Sequence, residues 1–297
     1  MRILAAFAVA VSLLQPVQQA SVNATPAQAG GVQTPAAQVP AAQVAAGQSS
    51  KVWIGRYEEF EKFLQTAPIK QTKEIGTGVT IPRRAYFAPG GLAESAIVKN
   101  IDEGVMKSYL DRYASEIAAY RLDRLLELDM VPPTVERSVN GETCSVQLWV
   151  ENCRQLKQVE KESKADVDLW NEQVYRHRVF DDLIINIDRN SGNMLIDPLW
   201  NLILIDHSRA FDARKSKMPF ELTKIDRPLF ERLKKLDKKT LQAQLRNYVT
   251  FGVDPILQQR DRIVKEFEKL IAKNGEANVL IEWRPLPAAP TVPGATR

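Results

Sequence analysis

IDRNSGNMLIDPLWNLILIDHSRAF, residues 187–211, joins a polar loop to two short apolar runs. The loop carries Asp188 and, five residues on, Asn193. Met194 to Ile196 and Leu202 to Ile205 read as short apolar strands, and Asp197-Pro198 between them carries turn chemistry. The pattern predicts a hairpin that returns Asp206, thirteen residues after Asn193, to the edge where Asn193 begins.

An aspartate in a loop, and an amide and a carboxylate meeting across a hairpin, suit phosphoryl transfer from a nucleoside triphosphate. One carboxylate orients or accepts the acceptor hydroxyl, while oxygen ligands hold a hard Mg²⁺ against the phosphates. Asp188 is therefore the candidate catalytic residue, and Asn193 and Asp206 are candidate metal ligands. The same three residues could also serve only as loop and turn formers.

Upstream, Lys99 sits in the apolar run AIVKNI, Ala96 to Ile101. A lysine in a half-buried strand needs a partner for its charge. Glu116 lies seventeen residues later in a long helical pattern from Ser108 to Glu127, with Tyr109, Tyr113, Ile117, Tyr120 and Leu125 near helical spacing. Ile75-Gly76-Thr77-Gly78-Val79 precedes the lysine run. Its two glycines allow backbone N–H groups to approach phosphate, although such a pair also serves any tight turn.

The rest of the chain reads as follows. Tyr57 to Leu64 predicts a short amphipathic helix, and Ile75 to Phe87 two strands around a turn. Val131-Pro132-Pro133-Thr134 ends the Glu116 helix. Ser145 to Val150 predicts a strand, Leu169 to Ile185 a second long helix, and mostly helices follow Phe211. The order is α+β: a small sheet lobe with one helix precedes a mainly helical lobe.

These segments resemble the atypical kinase superfamily. It includes phosphatidylinositol 3- and 4-kinases, toxin-type kinases of bacterial toxin–antitoxin pairs, and secretory-pathway kinases of casein-like substrates. The resemblance runs from Ile75 to Phe211 and implies a two-lobed protein-kinase-like fold. AIVKNI resembles the phosphate-lysine strand, and SEIAAYRLDRLLELDMVPPTVER the helix that implies pairing of Glu116 with Lys99. VQLWVE, Val146 to Glu151, resembles the hinge, which implies Trp149 and Val150 against the base. FDDLIINIDRNSGN and LIDHSRAF resemble the catalytic loop and the metal-binding strand end. Asn190 stands where family members often carry His, and Asp206-His207-Ser208 where ordinary protein kinases carry Asp-Phe-Gly. The implied activity is ATP- and Mg²⁺-dependent transfer (Mn²⁺ being a second option) to a hydroxyl acceptor, protein Ser/Thr first. A lipid or small-molecule kinase, and a nucleotide-binding module without transfer, are the alternatives.

Composition bounds the partners. The 297 residues carry a net charge of +4, too little to point to nucleic acid. The basic excess is local, with 16 Lys/Arg against 9 Asp/Glu between Asp212 and Lys273. That is the balance of a solvated helical surface, or of one that meets an acidic membrane. Arg2, the uncharged run Ile3 to Leu14 and the small residues of Val22-Asn23-Ala24 predict a signal peptide over 1–24 and an exported, periplasmic or secreted, protein. Residues 25–50 are uncharged Ala, Gln, Val, Pro and Gly, expected as a disordered linker, and 285–297 as a similar tail. That leaves 51–284 for the folded domain. Cys144 and Cys153 could pair in an oxidising compartment or remain two small thiols.

Overall fold

The computed structural model describes residues 48–76, 82–101, 104–106, 109–215 and 218–284. All of these fall in one unit, Gln38–Arg297. The expected signal peptide, most of the expected linker and the tail from 285 lie outside the described residues.

Helix α1 (Tyr57–Thr66) leads into β1 (Ile69–Glu74), β2 (Arg83–Phe87) and β3 (Ser95–Lys99). A small hairpin, β4 (Gly104–Met106) and β5 (Tyr109–Asp111), precedes α2 (Tyr113–Leu126). Strands β6 (Thr134–Val139) and β7 (Glu142–Leu148) complete an antiparallel sheet of order β1-β2-β3-β7-β6. Its inner face and α1 share one core, with Trp53, Phe60, Leu64, Ala96, Val98 and Val146 fully or almost fully buried. In β3 the period of two sends Ala96 and Val98 into this core and Ile97 and Lys99 to the opposite face.

The helical lobe follows. Short β8 (Arg154–Gln155) and α3 (Leu156–Val159) lead to α4 (Val167–Leu183), capped by Asp166, whose carboxylate accepts the Leu169 N–H at 2.8 Å. Strands β9 (Met194–Ile196) and β10 (Leu202–Leu204) form the expected hairpin, with β9 also paired to β8. Then come β11 (Ile225–Asp226), α5 (Arg227–Lys235), α6 (Lys238–Leu245), α7 (Asp254–Asn274), α8 (Glu276–Val279) and β12 (Leu280–Ile281). Phe180, Leu183, Leu202, Leu204, Ile263 and Phe267 form the second core, which also takes Ile117 and Leu122 from α2. The α+β, two-lobed architecture expected from the sequence is the one observed.

Several boundaries differ from the sequence reading. The first strand of the Ile75–Phe87 pair lies earlier, at Ile69–Glu74. It is a charged edge strand (IKQTKE), so it carries little apolar alternation to read. The long helix begins at Tyr113 rather than Ser108, because Tyr109–Asp111 pairs with Gly104–Met106 instead. It ends at Leu126, before the prolines. Glu127 turns left-handed at φ 50°, and Asp123 Oδ1 accepts the N–H groups of Met130 and Val131 at 3.0 and 3.1 Å. Strand β6 was not anticipated. Its signal was Asn140-Gly141, both at positive φ, the tight turn that joins β6 to β7.

The expected linker also ends sooner than Ser50. Ser49 and Ser50 are buried, and Asp197 Oδ2 accepts both the Ser49 hydroxyl and the Ser50 N–H at 2.9 Å. Lys51 is fully buried and donates to the Asp129 carbonyl at 2.8 Å. Burial pushes its amine down to about 8. These three residues strap the turn of the β9–β10 hairpin to the segment after α2.

Candidate functional site

A cleft of about 580 Å³ lies between the lobes. Ile97 and Lys99 of β3, Gln147 of β7, and Trp149 and Val150 of the connection that follows line its upper side. Asn193, Leu195, Ile205 and Asp206 close it from below.

Lys99 is the hub. Its Nζ lies 2.5 Å from Glu116 Oε1 and 2.7 Å from Asp206 Oδ1. Glu116 Oε2 accepts the His207 N–H at 3.0 Å, so one carboxylate ties α2 to both Lys99 and the residue after Asp206. Burial works against the ammonium, but the charges of Asp206 and Glu116 outweigh it and hold Lys99 above its usual range. Burial likewise raises Glu116, yet Lys99 and His207 bring its carboxyl well below the ordinary value. Lys99 is the main cause of the lowered carboxyl of Asp206. Asp206 itself has φ 59°, in the left-handed region, and its Oδ1 also accepts the Ser208 hydroxyl at 3.1 Å.

The loop between α4 and β9 is folded on its own polar groups. The Asp188 carbonyl accepts from Asn190 Nδ2 at 3.0 Å and Asn193 Nδ2 at 3.2 Å. Asn190 Oδ1 accepts the Gly192 N–H at 2.9 Å. Asn190, where a His was noted as common, thus closes the turn of this loop. With its amide nitrogen committed to Asp188, Asn193 has its amide oxygen to offer. That oxygen and the 38%-exposed carboxylate of Asp206 are the donor types a hard divalent cation takes, so the residues fit Mg²⁺ or Mn²⁺. Among the described residues there is no group of three or more His, Cys, Asp or Glu placed to hold a metal ion.

Asp188 lies beyond the cleft lining. Its Oδ2 accepts from Arg209 Nη1 at 3.1 Å. Burial pushes its carboxyl up, with Arg209 opposing. Gly76 is exposed and described; Thr77 and Gly78 lie outside the described residues, so the glycine loop stands only by its flanks, Ile75 and Pro82, which border the cleft. Trp149 carries the Arg84 guanidinium 4.0 Å above its ring, and Arg84 also pairs with Glu151 at 2.7 Å. Cys144 and Cys153 are free thiols, and burial pushes Cys153 up to about 12.

Two arginines were missed by sequence reasoning. Arg189, buried, forks onto Asp181 at 2.8 and 3.0 Å and donates to the carbonyls of Asn193 and Ile205 at 2.8 and 2.7 Å. It also reaches His207 Nε2 at 2.8 Å. A guanidinium only donates, so that ring nitrogen accepts; burial first, and the Arg189 charge with it, lower the His207 pKa. Arg209 is the second. Nothing in their spacing marked either one.

Among solved structures, the chain is similar to the Golgi casein kinase with Mn/ADP bound. The TM-score is 0.59 at 16% identity over 76% of this chain and 78% of that one. A second structure of the Golgi casein kinase gives 0.56 at 15% identity, over 76% and 77%. Hydra Fam20 with sugar gives 0.54 at 17% identity, over 82% and 95%. The chain has the fold of these kinases. No protein-family model and no curated protein matches the sequence. In this fold Lys99 ends β3, Glu116 lies in the first turn of α2, and the 184–193 loop precedes the β9–β10 hairpin.

Proposed function

We propose that this protein is a kinase that transfers the γ-phosphoryl group of ATP to a hydroxyl acceptor, protein Ser/Thr before lipid or small molecule. One observation carries the reading: Lys99, Glu116 and Asp206 form a single ion cluster at the wall of a cleft that Asn193, Trp149 and Val150 also line. A kinase fold could persist without these groups; their convergence is what phosphoryl transfer requires. A neighbour with Mn/ADP bound supports the use of nucleotide and divalent metal.

Trp149 and Val150 take the base, and Lys99, held by Glu116, meets the phosphates. Asn193 and Asp206 would hold Mg²⁺ or Mn²⁺, which would supply charge neutralisation on the phosphates. Asp188 orients the acceptor hydroxyl and accepts its proton. Its raised carboxyl makes it a better base than a surface aspartate. Export belongs to this reading, supported by the N-terminal sequence and by the Golgi kinase neighbour.

The test is a thermal titration of the full chain with ATP in the presence and absence of Mn²⁺ or Mg²⁺, followed by ATP turnover. At a hundredfold excess over Kd, metal-dependent binding stabilises the fold by about 2.7 kcal/mol. No shift would refute the nucleotide site; a shift without turnover on any acceptor or water would leave a binding module.

A further inference from the structure

We propose that Arg209 is the positioning residue for Asp188 and that Asp111 fixes Arg209, so that the helix carrying Glu116 also sets the acceptor-side carboxylate. The inference rests on the reading of Asp188 as the residue that meets the acceptor hydroxyl.

Arg209 spans two carboxylates on different elements. Its Nε donates to Asp111 Oδ1 at 2.8 Å and its Nη1 to Asp188 Oδ2 at 3.1 Å. A guanidinium is a rigid planar fork, so its two contacts fix each other's direction. With Oδ2 held, Asp188 keeps Oδ1 for the acceptor. Asp111 is 1% exposed and ends β5, two residues before α2 begins. Its Oδ1 is shared with the Ser208 hydroxyl at 3.5 Å, while its buried Oδ2 has no hydrogen-bond partner. A buried carboxylate left half satisfied is costly to keep, and the contacts it does make are with Arg209 and Ser208.

The backbone repeats the junction: the Arg112 N–H donates to the Ser208 carbonyl at 2.9 Å. Ser208 in turn donates to Asp206 Oδ1. The base of α2 is thus fastened to residues 206–209 twice, by Glu116 on His207 and, through Lys99, on Asp206, and by Asp111 and Arg112 on Arg209 and Ser208. A shift of α2 that releases Lys99 also releases Arg209, and through it Asp188. Nucleotide handling and acceptor activation are coupled through one helix, with Arg209 as the link.

The test uses the full chain, Mn-ATP as the probe and water as the acceptor. Asp111→Asn, Arg209→Ala and the double variant are measured by thermal shift with Mn-ATP and by kcat and KM for ATP hydrolysis. The expected result is an undiminished nucleotide shift and KM, with kcat down by about 10²-fold, the scale of a misplaced reacting group. The double variant should be no worse than Arg209→Ala, because both act through one chain of contacts. Millimolar guanidinium should restore part of the turnover of Arg209→Ala. Unchanged kcat in Arg209→Ala, losses that multiply in the double variant, or a nucleotide shift lost in step with kcat would each overturn the proposal. Failure of the underlying reading is seen instead in the wild type, as absent binding or absent turnover, and takes this inference with it.

Discussion

Replacing Lys99 by methionine keeps the length of the side chain and removes its charge. Two carboxylates then face each other without their shared cation: Glu116, whose side chain is 2% exposed, and Asp206, at 38%. Breaking a buried ion pair by deleting one partner costs about 3–5 kcal/mol. Because Asp206 reaches solvent, the lower end applies, about 3 kcal/mol, or a melting temperature about 6–12 °C lower for a domain of this size. The sign of the pH dependence follows from the shifts. In the wild type both carboxyls lie below their ordinary values, so their contribution to stability is present above about pH 4.5 and is lost only in stronger acid. In Lys99→Met burial, the largest influence on Glu116, is opposed only by His207 and raises its carboxyl, so the variant loses stability as pH rises. The gap between wild type and variant should be widest at pH 8 and should narrow toward pH 5. Thermal melts of both proteins at the two pH values measure it. An equal gap at both, or no loss at all, would refute the ion cluster as described.

Asp206→Ala should abolish the metal-dependent part of ATP binding, whereas Asp188→Asn should retain it and lose turnover by about 10²–10⁴-fold; titration calorimetry and hydrolysis rates separate them, and metal-dependent affinity retained in Asp206→Ala removes its ligand role. Starting the chain at Val52 rather than Gln48 deletes two donors to Asp197 and the buried Lys51 amine, and should cost about 3 kcal/mol by urea unfolding. Equal midpoints for the two chains would mean that the strap holds nothing. Arg176→Met removes a bidentate pair to Asp226 at 2.8 Å on both arms and a guanidinium 3.6 Å from the Trp283 ring. It should destabilise by about 3–5 kcal/mol, and an unaltered urea midpoint would count against that pair.

The order of lobes, the lysine strand and the loop–hairpin of residues 187–211 were legible because each is written in a short window. Strand alternation gives the side of Lys99. Loop polarity followed by two apolar runs gives the return of Asp206 toward Asn193, closed by the Ile205 N–H on the Asn193 carbonyl at 3.1 Å. Periodicity and turn chemistry act over a few residues, and so they survive without the fold. The same locality explains the missed edge strand Ile69–Glu74, whose exposed, charged face follows from having no neighbour on one side, a fact only the sheet supplies.

Charge pairing was decided by the tertiary structure. Arg209 could have met any of 36 Asp and Glu residues; chain closure brings it to Asp111, 98 positions away, and to Asp188, 21 away. Ser49 has the composition of the low-complexity run around it, yet it is held by Asp197, 148 positions later. Side-chain type and local period are properties of the sequence itself. Which buried polar group meets which is fixed only when two cores close around them, because the cost of leaving such a group unpaired exists only once water has been excluded.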